Sequence, residues 1–94
     1  MESKEYNWAW VTASRLLTDH ECELVCVALT ANGASSGTIL YDGTNTSGDE
    51  IVEIRTTGVL FVEFKPSVPI YCQKGLYITK GNALQGILVQ WRHL

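Results

Sequence analysis

Two histidines and three cysteines have the widest chemical reach in this 94-residue chain. His20 lies in Thr18-Asp19-His20-Glu21-Cys22, and His93 is the penultimate residue. A catalytic Cys–His pair comes from separate elements that aim two side chains at each other. Two positions apart on extended chain, His20 and Cys22 are parallel neighbours, so His20 is expected to be a solvated loop residue. Cys22, Cys26 and Cys72 are odd in number and have no zinc-ligand spacing. Cys22 and Cys26 are an even number of residues apart. A regular strand would put both on one face, about 13 Å from each other and beyond disulfide reach. Three buried thiols acting as small apolar residues are expected, with an approach of Cys72 to either of the others left open.

The acidic residues form two groups. Asp19, Glu21 and Glu23 alternate and would line one face of an extended segment, where charge discourages sheet-to-sheet pairing. Asp42, Asn45, Asp49 and Glu50 occupy a polar loop with two glycines, a better shape for calcium, which needs six or more converging oxygens. A solvated role is expected for both groups, and no metal site is assigned. Asp42-Gly43 and Ser47-Gly48 lack the Gly-Lys-Ser/Thr and the following helix of a phosphate loop.

Aromatic rings carry the clearest pattern. Tyr6, Trp8 and Trp10 alternate and would share a face of the first strand, while Trp91 lies in the last. Such a row can anchor a subunit interface, pack in a core or stack on a sugar ring. Tyr6, Trp8, Trp10 and Trp91 are expected at an interface.

Short runs of β-branched and aromatic residues, separated by Gly, Asn, Asp and Pro clusters, predict an all-β chain with about eight strands. These fall near 7–17 (bent or broken), 22–30, 38–42, 50–56, 59–64, 70–72, 76–79 and 85–91. The second is apolar on both faces, as a central strand is. In the last, Ile87, Val89 and Trp91 share a face. Turn signals every 8–12 residues predict a single small antiparallel β-sandwich over 1–94, jelly-roll or Greek-key, with about four strands per sheet. Residues 1–5 are read as a loose arm.

Lys and Arg total 7 against 10 Asp and Glu, a net charge of −3, which argues against nucleic acid as a partner. Charged residues are 18%, below the roughly 25% usual for soluble domains, which suits a chain that buries surface against its own copies. No apolar run approaches the roughly 20 residues of a membrane helix, and the first residues do not read as a signal peptide. Synthesis in a cytosol, with no membrane partner, is expected.

One resemblance joins these features. Tyr41-Asp42-Gly43-Thr44-Asn45-Thr46-Ser47-Gly48 follows a short apolar strand. Pro69-Ile70-Tyr71-Cys72-Gln73-Lys74-Gly75-Leu76-Tyr77-Ile78, Gly81 and a closing Gly86-Ile87-Leu88-Val89-Gln90-Trp91 come later. Over residues 22–91 this order resembles the small β-sandwich structural proteins of tailed bacteriophages and environmental viral sequences. The resemblance implies a virion component, a capsid decoration or a head or tail accessory protein. It also implies a cyclic homo-oligomer, often a trimer, with no catalytic residues and no cofactor. The alternative is a lectin-like carbohydrate-binding module, marked by coplanar exposed aromatics beside Asp42, Asn45 and Asp49. A cupin-like enzyme would need several histidines on inner strand faces, which two histidines do not supply.

Overall fold

The computed structural model describes residues 7–33 and 35–94. They form nine strands: β1 (Asn7–Val11), β2 (Arg15–Thr18), β3 (Cys22–Ala31), β4 (Ser36–Asp42), β5 (Asp49–Thr56), β6 (Phe61–Phe64), β7 (Ile70–Cys72), β8 (Leu76–Lys80) and β9 (Leu84–His93). The ninth arises because the expected 7–17 strand breaks at Thr12–Ser14 into β1 and β2, which enter different sheets. A front sheet runs β1-β9-β3-β6, with β7 also on β3, and a back sheet runs β2-β8-β4-β5. All pairings are antiparallel.

Setting aside β7, the pairs nest: β1 with β9, β2 with β8, β3 with β6, β4 with β5. A long hairpin folded over itself in this way is a jelly roll, the first of the two architectures expected. Leu24, Val27, Leu29, Ile87, Val89 and Trp91 of the front sheet meet Leu40, Ile54, Leu76 and Ile78 of the back sheet in one core. Burying a side chain of this size is worth about 1.5–3 kcal/mol.

β3 is the central strand, flanked by β9 on one side and by β6 and β7 on the other. Its register against β9 slips between Leu24 and Cys26, so Val25 is an extra residue, a bulge. A bulge reverses side-chain alternation. Cys22 and Leu24 point inward before it and Val27 and Leu29 after it, while Cys26 and Ala28 face outward. Cys22 and Cys26 therefore lie on opposite faces, which corrects the same-face expectation. That expectation assumed a regular strand.

Candidate functional site

The histidines come together at one end of the sandwich. The His20 and His93 rings meet edge to face with centroids 5.7 Å apart. His93 Nε2 shares a hydrogen bond of 2.9 Å with Thr18 Oγ1, which also accepts from the His20 amide. His20 Nε2 stands 3.6 Å from an Asp19 oxygen. Sequence reading missed this grouping, because β9 delivers His93 from 75 positions away.

The thiols divide in two. Cys22 and Cys72 are opposite each other on β3 and β7, fully buried and free. Of the two approaches left open for Cys72, the fold chooses Cys22. The hydrogen bond to Cys22, reinforced by burial, pushes the Cys72 thiol far above its ordinary range. Cys26 lies on the outer face with its Sγ 3.7 Å from Glu63 Oε2. Burial, with Glu63 beside it, pushes this thiol up as well.

Members of both acidic groups are occupied within the chain. Tyr71 donates to Glu21, and its hydroxyl is held above its ordinary range by that hydrogen bond. Arg92 donates to Glu23 at 2.5 Å. Both Asp42 oxygens accept backbone amides of the β7–β8 turn, Gln73 N at 3.0 Å and Lys74 N at 2.7 Å. Asn45 Oδ1 accepts the Ser47 amide. The Tyr-Asp-Gly turn thus latches two loops together. Gly75, with φ at +144°, packs where a Cβ would stand 2.6 Å from the Thr18 carbonyl oxygen and 3.1 Å from that of Gly43.

The aromatic row gives the exposed surface. β1 pairs with β9 in unbroken register, Asn7 opposite Trp91 through Val11 opposite Ile87. Ala9 and Val11 turn to the core, and Trp8 and Trp10 turn out, 68% and 49% exposed. Trp10 lies across Gly86, where a Cβ would stand 2.1 Å from its Cζ2, so the missing side chain makes the slot for the indole. The outer face continues through Leu88 and Gln90 of β9, Cys26 and Ala28 of β3, and Phe61 of β6, which is 59% exposed. Leu60 is exposed just before β6.

Of the four residues expected at an interface, Trp8 and Trp10 are on this face, and Tyr6 lies outside the described residues. Trp91 is corrected: it is 6% exposed and belongs to the core with Ile87 and Val89. Its position follows from β9 alternation, which turns every second residue from Ile87 inward.

Comparison with protein-family models, with curated proteins and with solved structures returned no match for this chain.

Proposed function

We propose that this chain is a non-enzymatic structural subunit of a virion, of the kind found in tailed phages, and that it self-associates through the outer face of its front sheet. The observation that carries the self-association is the exposure of Trp8, Trp10 and Phe61 together on one outer face. An apolar surface rimmed by polar groups marks a contact site, and Trp is enriched at the centres of such contacts. The virion assignment draws on the resemblance over residues 22–91. The jelly roll agrees with it, because this architecture serves many capsid domains; it also serves lectins and cupins, so the fold alone does not decide.

The lectin alternative has less behind it. Tyr41 and Tyr77, beside the Asp42 loop, have rings tilted by 54° and do not form a flat platform, and the exposed Tyr71 is tied to Glu21. Asp42 itself is tied to backbone amides.

Two measurements test the proposal. Light scattering across a dilution series is expected to give an oligomer. Mass spectrometry of purified particles from the source is expected to recover the chain with the major structural proteins. A monomer at every concentration, together with glycan-array binding that needs Trp8 or Trp10, would overturn the proposal in favour of the lectin.

A further inference from the structure

A sandwich has four flanks, and three of these are blunted against pairing with another sheet. β2 carries Arg15 and a register irregularity between Leu16 and Thr18. β5 presents Asp49, Glu50, Glu53 and Arg55. The far side of β3 is closed by two short strands, β6 and β7, separated by a segment with Pro66 and Pro69. Charges, prolines, irregularities and short strands are the devices that keep sheet edges apart. β1, though only five residues long, carries no charge, proline or irregularity. Asn7-Trp8-Ala9-Trp10-Val11 is uncharged, unbroken in register and paired on one side only among the described residues.

We infer that β1 is a self-pairing edge: two copies join their front sheets through antiparallel β1–β1 contact about a two-fold axis at Ala9. The inference rests on the self-association in the reading above; it moves the contact from the outer face to the β1 edge beside it and adds the register. In an antiparallel ladder centred on Ala9 all five residues pair, and Trp8 stands opposite Trp10 of the partner subunit, twice over. A one-residue slip turns each indole against a core-facing residue. A two-residue shift leaves three paired positions and strands one indole per copy.

Four indoles then form one cluster on the outer face, and cross-strand aromatic pairs are among the stabilising ones. The edge suits a like partner because it carries no charge, whereas the chain at −3 repels its copies elsewhere. A two-fold contact of this kind is isologous and closes on itself. It gives a dimer where the resemblance implied a trimer.

The test is light scattering on the full chain and two double variants, each checked for fold by circular dichroism. Wild type is expected at twice the 10.4 kDa chain mass. Trp8→Lys with Trp10→Lys puts like charges opposite each other and is expected to halve the mass. Trp8→Lys with Trp10→Glu puts opposite charges in every pair and is expected to restore the dimer. An oligomer that survives the double lysine change, a trimer, or no restoration by the lysine–glutamate variant overturns the β1 edge while self-association stands. A monomeric wild type at all concentrations overturns both. If the variants do not fold, amide hydrogen exchange on wild type decides. Protection of β1 that rises with concentration supports the edge, and protection independent of concentration overturns it.

Discussion

Two glycines separate backbone constraint from side-chain constraint at the residue scale. At Gly75 an added Cβ meets the carbonyl oxygens of Thr18 and Gly43, on a backbone at positive φ. Neither can yield without opening the turn. Gly75→Ala is expected to cost roughly 3 kcal/mol in urea unfolding. At Gly86 the three atoms nearest the Cβ all belong to the Trp10 indole, a side chain that is half exposed. Gly86→Ala is expected to cost under about 1 kcal/mol and to raise acrylamide quenching of tryptophan fluorescence. Trp91→Ala, by contrast, removes a core ring and is expected to cost about 3–5 kcal/mol. The resemblance-bearing turn residues Asp42, Gly43 and Gly75 were legible as turn chemistry. The latch made by Asp42 was not, because the amides it holds come from a loop about 30 residues away.

Strands explain most of what the sequence disclosed and where it misled. β7 was read to the residue, and β3, β4, β5, β8 and β9 to within two or three at either end, because alternation and turn residues agreed there. The bulge at Val25 left no such mark, since β3 is apolar on both sides of it and nothing contradicts a regular strand. The faces of Cys22 and Cys26 were misjudged for that reason. Trp91 was half legible: its alternation with Ile87 and Val89 put it on one face with two aliphatic residues, and expecting it at an interface passed over that pattern.

The paired and buried thiols on β3 and β7 have a pH consequence. Cys72 and Cys26 ionise at higher pH in the folded chain than in the unfolded one, while Cys22, held by the hydrogen bond with Cys72, ionises at lower pH. Above the ordinary thiol range, near pH 8.5, the unfolded state loses protons that the folded state keeps, so stability falls as pH rises. The urea midpoint is expected to decline above that range, where two thiols stay protonated in the folded chain against one that ionises early. Cys26→Ala, which removes a raised thiol without touching the Cys22–Cys72 pair, is expected to make that decline shallower.

The architecture of the whole molecule was readable because few arrangements bury eight or nine short strands in so short a chain. The division into sheets was not readable, because the nested pairing joins residues that share no local signal. The outer face of the front sheet shows the same limit. Trp8 and Trp10 were visible as a row, but their neighbours Leu88, Ala28 and Phe61 come from three other strands. The self-association proposed above draws on that assembled face, and the dilution series tests it at this scale.

Nesting the first strand against the last also sets an order of events. β1 leaves the ribosome first, yet its partner β9 leaves last, and β3 waits for the same strand. Until Leu84–His93 emerges, the tryptophans have no sheet to join, and the central strand lacks one of its neighbours. Closing such distant pairs is slow. Folding of the sandwich is therefore delayed until β9 has emerged, and a chain halted just before β9 would expose its least protected edge to every other unfinished copy on the same polysome.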